Sequence, residues 1–536
     1  MKFCLLTSTI VILLASACST LTETETARVP GDTVATSPEP YRLAYHFSPE
    51  KNWMNDPNGL VYHNGKYHLF YQYNPAGDTW GNMSWGHATT EDLVHWNRLP
   101  VAIPMDGEKM IFSGSAVVDK NNSSGLCDSA DGGCLVAIYT SHLPELQTQA
   151  LAYSNDEGET WTQYEGNPVL DEGMKDFRDP KVFWYEPKQA WLMALAIPQE
   201  HKIRFYQSPN LKDWTRLSEF GPEGFVDGIW ECPDLFELPV ENGEGSQWVL
   251  VVSHNRSDLG PTMQYFVGDF DGTTFTNANT DDLILRVDEG LDYYAAVTYN
   301  NVPDDRRLMI GWLNNWAYGQ KIPTSGWRSA QSLVRSLHLR QFPEGVRLVQ
   351  QPVEEQNTLR ETARHYEDQQ VNEGDDFLSV ENVRGNQLEI VAEFVYHAIE
   401  TPAEAEQLAS EFGIKVFEGE DQETVIGYDV ASQSLFVDRT QSGDTTFSDN
   451  FAARTIALMP SDDGIVRLRI FVDHSSVEVF GNDGYLSMTN RIFPDQTKDG
   501  VEVYAIGGPV TLRSLDVYPM ESIWNGGMVR AGSDSE

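Results

Sequence analysis

Three short segments carry carboxylates in settings that suit bond-breaking chemistry. They are Trp53-Met54-Asn55-Asp56-Pro57-Asn58-Gly59, Phe177-Arg178-Asp179-Pro180 and Trp230-Glu231-Cys232-Pro233-Asp234. In each, an acid stands one or two residues before a proline and close to aromatic rings. Proline fixes its local backbone and has no N–H to give to a ladder, so each segment is expected at a strand end or a bulge. Three carboxylates converging on one pocket repel one another, which raises the pKa of at least one and keeps it protonated near neutrality. A proton-bearing carboxyl beside an ionised one is the pair that glycoside hydrolysis requires. Taken singly, each acid reads as a turn or salt-bridge residue. Only the triplet on a common scaffold carries the catalytic reading.

The elements that would position these acids are strands. Lys66–Tyr73, Leu135–Thr140 and Trp248–Ser253 are short, rich in β-branched and aromatic residues, and bounded by Gly, Pro, Asn and Asp. A weak repeat runs through them. Thr90-Glu91-Asp92-Leu93-Val94-His95-Trp96 resembles Ser208–Trp214, Ser154–Trp161 is a variant, and Phe270–Phe275 is a looser copy. The closing aromatics lie 65, 53 and 61 residues apart. Each copy reads as a turn followed by an aromatic that opens a strand. That period, with about four strands per unit, is what propeller blades produce. Residues 41–345 have room for about five blades. From about residue 346 the texture changes: 353–385 is polar and acidic, and alternating strands follow at Gln387–Phe394, Val466–Val472 and Val477–Phe480. This alternation suits sheets with one buried face, hence a β-sandwich over 346–520. Residues 521–536 read as a loose tail, and 401–411 as the best helical candidate. The expected fold class is all-β: a five-bladed propeller followed by a C-terminal sandwich.

Composition narrows the ligand. The 536 residues include 37 Lys plus Arg against 80 Asp plus Glu, a formal net charge of −43. Such a chain repels nucleic acid and anionic lipid surfaces, and a neutral substrate suits it best. His87, His95 and His254 read as structural, no ligand spacing implies a required metal, and no cofactor is implied.

Residues 1–17 read as an export signal: Lys2, an apolar run from Phe3 to Ala15 broken only by Thr7, Ser8 and Thr9, and a small-residue cleavage site Ala15-Ser16-Ala17. Cys18 follows directly and resembles the acylated cysteine of bacterial lipoproteins, with Ala rather than Leu at the third position before it. A Thr/Ser/Glu/Pro-rich tether spans 18–40. Lipid anchoring and plain secretion both stay open, and both place the chain outside the cytoplasm. There, Cys127 and Cys134, flanking a Gly/Asp-rich loop, are disulfide candidates.

The motifs together resemble glycoside hydrolase family 32, the β-fructofuranosidases. The matching segments are WMNDPNGL (53–60), YQYNP (71–75), WGNMSWGHA (80–88), FSGSAV (112–117), FRDPKVF (177–183), WECPDLF (230–236) and GWLNNW (311–316). In the second module FVDRTQSG (436–443) and FVDHSSVEVFGNDG (471–484) also match. The resemblance implies Asp56 as nucleophile, Glu231 as general acid and then base, and Asp179 as transition-state stabiliser. It also implies Asn55, Gln72, Trp80, Ser113, Arg178 and Trp316 as substrate contacts. Arg178 is equally suited to holding Asp179 ionised. The implied mechanism is retaining, with carboxyl groups about 5–5.5 Å apart. If the segment around Glu231 is a strand, Cys232 faces the opposite side, as packing or as a tuning group.

Segment 311–333 resembles the exo-inulinase and levanase branch, although Ala317 and Leu313 stand where that branch often has Asp and Met. The implied activity is release of terminal fructose from inulin- or levan-type fructans and from sucrose. A fructosyltransferase shares all three acids, and a non-catalytic glycan-binding protein is a third reading. The second module could bind fructan, support the first or mediate dimer contact. Support is the expected role, because the linker is short.

Overall fold

The structure, a computed structural model, describes residues 39–128, 132–256, 260–396, 408–461 and 463–524. The export signal 1–17, Cys18, the tether up to residue 38, residues 401–407 of the helical candidate 401–411 and residues 525–536 of the expected tail lie outside the described residues; 408–410 are not helical, Glu411 opens a strand, and Glu521 and Ile523 are hydrogen-bonded to Leu359 and Ala44.

Five strands form the inner ring of the first module: β1 (Asn52–His63), β2 (Met110–Val118), β3 (Arg178–Tyr185), β4 (Trp230–Glu241) and β5 (Tyr294–Thr298). Each opens an antiparallel sheet that continues outward through further strands. Neighbouring inner strands touch in the order β1, β2, β3, β4, β5, and β5 returns to β1, which closes the ring. The sheets of β4 and β5 are additionally joined by a two-residue parallel pairing, Val240↔Leu339 and Glu241↔Arg340. This is a five-bladed propeller.

The repeat seen in the sequence is the turn between the third and fourth strands of the first four blades. A side-chain oxygen closes it each time: Asp92 Oδ1 accepts from the Val94 and His95 N–H groups, Asn210 Oδ1 from Lys212 and Asp213, and Asp271 Oδ1 from Thr273 and Thr274. Asp156 binds Thr160 in the same way. Such turns satisfy backbone donors locally. The fifth blade lacks the signature because a tight hairpin, Arg335–Phe342 to Gly345–Pro352, ends it. That last strand crosses the expected 345/346 boundary. Its sequence, GVRLVQQP, carries Arg347, Gln350 and Gln351 among its apolar residues, which blurs its edge with the polar segment that follows.

The second module packs a six-stranded sheet against a five-stranded one. Their inward faces share one core that includes Ile390, Phe394, Phe412, Ile426, Leu468 and Val479, as the period-2 alternation requires.

A buried charge cluster joins the two modules. Arg335 pairs with Asp288 at 2.9 Å and with Glu478 at 2.7 Å. His46 bridges Asp473 at 2.8 Å and Glu478 at 3.0 Å. Arg439 pairs with Asp292 at 2.5 Å. The Ala44 and Tyr45 N–H groups donate to the Asp473 carboxylate, so the segment leading into β1 is fixed by the second module.

Burial alone would lower the His46 pKa, but its two carboxylate partners outweigh this and raise it to about 9. Burial opposes ionisation of Glu478, yet Arg335 and His46 hold it down at about 2. The Glu478 contribution is therefore complete above its ordinary 4.5 and lost as pH falls toward 2. The His46 contribution is complete below 6.5 and lost as pH rises through 9. Replacing Glu478 by Gln leaves Arg335 and His46 short of a buried counter-charge. Denaturant unfolding at a pH between 4.5 and 6.5 is expected to show a loss on the order of 3–5 kcal/mol. A loss under about 1 kcal/mol, the scale of an exposed pair, would contradict this role.

Candidate active site

All five inner strands carry an irregularity at the same end of the ring. Pairing slips between Met54 and Pro57 on β1, between Ile111 and Gly114 on β2, and between Arg178 and Lys181 on β3. It slips again between Glu231 and Asp234 on β4, and between Tyr294 and Val297 on β5. The prolines Pro57, Pro180 and Pro233 sit inside three of these bulges. Asp179, Cys232 and Ala295 adopt positive φ angles of 65°, 46° and 52°, a conformation that non-glycine residues adopt where surrounding structure enforces it. A bulge turns side chains out of the regular alternation. Here the five bulges aim Asp56, Ser113, Asp179, Glu231 and Tyr294 into one cavity of about 240 Å3.

The cavity wall contains every residue expected to act there: Asp56, Asp179, Glu231, Asn55, Gln72, Trp80, Ser113, Arg178 and Trp316. Asp56 accepts from Ser113 Oγ at 2.6 Å and from Asn55 Nδ2 at 3.0 Å. Asn55 is itself fixed by Trp53 Nε1 at 2.7 Å. Asp179 Oδ2 accepts the Cys232 N–H at 3.0 Å, and the Asp179 N–H donates to Thr140 Oγ1. Arg178 donates from Nε to Glu231 Oε1 at 3.1 Å and also binds Asp176. Its guanidinium thus hydrogen-bonds Glu231, while its charge also favours ionisation of Asp179. Gln72 donates to the Ile111 carbonyl of the next blade. Trp316 stacks on Trp53 at 5.7 Å, and exposed Trp80 meets Phe112 edge-on at the rim.

Cys232 departs from the expectation for a regular strand. Its bulge and positive φ break the alternation, and Sγ points to the same side as the acids, 3.6 Å from both Asp56 Oδ2 and Asp179 Oδ2. The tuning role fits this position.

Sequence reasoning missed Tyr294, whose hydroxyl donates to Glu231 Oε2 at 2.6 Å, and the wall residues Phe112, Ile229 and Asn255. The available signal for Tyr294 was positional: it opens the inner strand of one of the two blades that bring no acid to the cavity. The disulfide Cys127–Cys134 is formed, with Cα atoms 5.2 Å apart, away from the cavity.

The cluster is poised to retain a proton. Burial pushes Asp179 up to about 7; Arg178 opposes this, and the charges of Glu231 and Asp56 add to it. Asp56 is raised chiefly by burial and also by Glu231, against its hydrogen bonds to Ser113 and Asn55.

A ring of strands presenting three carboxylates and a set of amide, hydroxyl and indole groups to one open pocket defines a glycosidase-type site. The sequence matches models of the glycosyl hydrolases family 32 N-terminal domain over residues 46–352 and of the family 32 C-terminal domain over 355–519, and the chain belongs to that family. It is 50% identical to a levanase of Bacillus subtilis over 495 residues, covering 91% of this chain and 71% of that protein. It is 42% identical to an extracellular exo-inulinase of Aspergillus awamori over 526 residues, covering 91% of this chain and 96% of that one. Its structure superposes on a crystal structure of exo-inulinase from Aspergillus awamori with a TM-score of 0.84 at 40% identity, covering 91% and 99% of the two chains. With a β-fructofuranosidase of Schwanniomyces occidentalis complexed with fructosyl-erythritol the TM-score is 0.80 at 33% identity, covering 90% and 98%.

Burial raises the Cys232 thiol well above its ordinary range, and the three carboxylates raise it further. Thiolate is the reactive form. Peptide mapping after alkylation at about pH 8 is therefore expected to find Cys232 unmodified in the native protein and modified only after unfolding. Rapid native labelling would contradict its placement between the acids.

Proposed function

We propose that this chain is an exo-acting β-fructofuranosidase that releases terminal fructose from inulin- or levan-type fructans and from sucrose, with retention of configuration. The observation that carries the reading is the convergence of Asp56, Asp179 and Glu231 from three bulged inner strands on one cavity. The names of the relatives, levanase and exo-inulinase, support the substrate class.

In the first step an Asp56 oxygen attacks the anomeric carbon of the terminal fructosyl unit. The bond from that carbon to the leaving oxygen breaks, and Glu231 gives its proton to that oxygen. In the second step Glu231 takes a proton from water, the water oxygen replaces Asp56 on the carbon, and Asp56 leaves as carboxylate. Positive charge develops on the ring between these steps, and Asp179, in its ionised form, is the group proposed to stabilise it. Arg178 and Tyr294 hold one Glu231 oxygen each, which orients the acid toward the cavity. Trp316 and Trp80 offer ring faces to the sugar, while Asn55, Gln72 and Arg178 suit its hydroxyls.

We infer an extracytoplasmic location from the export signal, the Cys127–Cys134 disulfide and relatives named extracellular exo-inulinase. Acylation at Cys18 is the proposed anchor. Mass analysis of the mature N-terminus tests it: a diacylglyceryl group on Cys18 is expected, and an unmodified terminus would refute anchoring.

Chromatography of products from sucrose, inulin and levan is expected to show fructose as the first product from each. Longer oligomers formed ahead of fructose at high sucrose would favour transfer. Asp56→Ala is expected to lower kcat by about 10⁴-fold or more; unchanged fructose release would refute the nucleophile assignment.

The kcat/KM profile should be bell-shaped. Asp56 must be ionised, and its raised pKa moves the acid limb above the ordinary Asp value of 3.8. The alkaline limb follows loss of the proton that the coupled carboxylate cluster retains. A rate still rising above about pH 9 would contradict the requirement for a proton donor.

A further inference from the structure

A second, larger cavity of about 870 Å3 lies at the opposite end of the propeller ring. The same inner strands define both ends. Ser113, Asp179 and Glu231 line the active-site cavity; Val117, Phe183 and Leu235, each four positions further along its strand, line the second. Four residues of strand span roughly 13 Å, so the two cavities do not share walls.

Two features mark the second cavity as built for a ligand. Its wall is rich in aromatic rings, of which Phe183, Trp184, Tyr185 and Trp248 are part-exposed. Phe183 and Tyr185 both pack against Trp248, at 6.1 and 6.0 Å, which holds the ring faces in place. Arg307 also lines the cavity. Its Nε is buried with no hydrogen-bond partner. Among the described residues the guanidinium makes no ion pair, and its contact is with the Phe236 ring at 5.2 Å. The neighbouring Lys181, by contrast, is fully engaged with Asp234 and Thr298. The rest of the Arg307 side chain is part-exposed at the cavity, so its guanidinium can donate to an incoming acceptor.

We propose that this cavity is a second carbohydrate-binding site, which takes a short neutral oligosaccharide with sugar faces against the Trp and Tyr rings and a hydroxyl or ring oxygen accepting from Arg307. Carboxylates decide against an anionic ligand: Glu186 and Glu237 stand exposed at the rim, in a chain of net charge −43. The volume falls within the usual range for small-ligand sites. That the sugar is a fructan rests on the function proposed above. Such a site would hold one part of a polymer while a chain end enters the other mouth, raising the local concentration of ends.

The test titrates the full chain carrying Glu231→Gln, which is expected to bind without turnover, with a short fructooligosaccharide in a calorimeter. Two binding events are expected. Adding Arg307→Gln should weaken one of them by about tenfold or more and leave the other unchanged. In a chain otherwise wild type, Arg307→Gln should leave sucrose hydrolysis unaltered. Among the described residues Arg307 forms no side-chain ion pair, and its nearest carboxylate, Asp234, keeps Lys181 as its partner, so this variant is expected to fold, and a thermal scan checks it. Trp248→Ala is the independent second variant and should weaken the same event. A single event with hydrolysis intact would overturn the second site, as would inorganic phosphate binding there in place of the sugar. Absence of fructose release by the wild-type chain would instead count against the proposed function.

Discussion

The site depends on mutual repulsion among three carboxylates that the fold does not allow to separate. Each is placed by a bulge at the start of an inner strand, and the strands are locked into a closed ring. The bulges are sustained by strained backbone at Asp179, Cys232 and Ala295 and by prolines that remove ladder donors. The repulsion is moderated by hydrogen bonds from Ser113 and Asn55 to Asp56, from the Cys232 N–H to Asp179, and from Arg178 and Tyr294 to Glu231, with the Arg178 charge acting on Asp179 as well. The residual effect, with burial, is a proton retained near neutrality. A site built to exclude that much negative charge from water has strong affinity for positive charge forming within it, which is what the transition state of glycoside cleavage supplies.

The second module bears on the same constraint. Asp473 and Glu478 bind the Ala44–His46 segment that leads into β1, and Glu478 binds Arg335 of the fifth blade. The sandwich thus grips the ring where its first and last blades meet. A closed ring has no free edge except at that seam, so a buried ionic clamp there restrains the position of β1 and of Asp56 upon it. This favours structural support over independent ligand binding as the role of the second module.

Much of this was legible in the sequence because the chemistry demanded conspicuous residues. A carboxylate next to a proline inside an apolar strand is a poor ladder member, and it marked three of the five bulges. The Asp and Asn turns marked four of the five blades. What was hidden lacked such markers. Tyr294 lies in Leu291-Asp292-Tyr293-Tyr294-Ala295-Ala296, with no proline and with an alanine, not glycine, at positive φ, so nothing local announces a bulge. The orientation of Cys232 was misjudged because period-2 alternation was applied through a bulge. The clamp was invisible because His46, Arg335, Asp473 and Glu478 are distant in sequence, and charged residues in strands read as a solvated face until the partner sheet covers them. The outer strand of the fifth blade runs past residue 345 because its Arg347, Gln350 and Gln351 blur the change into the polar linker.

The account stands on Asp56 being the group that bonds the sugar, with the other two acids as its partners. Rapid-quench mass spectrometry, using a fructoside whose leaving group departs easily so that the second step limits turnover, tests this directly. One fructosyl unit on the peptide containing Asp56 is the predicted result. A fructosyl adduct on the Asp179 or Glu231 peptide, or first-formed fructose of inverted configuration with no adduct at all, would contradict it.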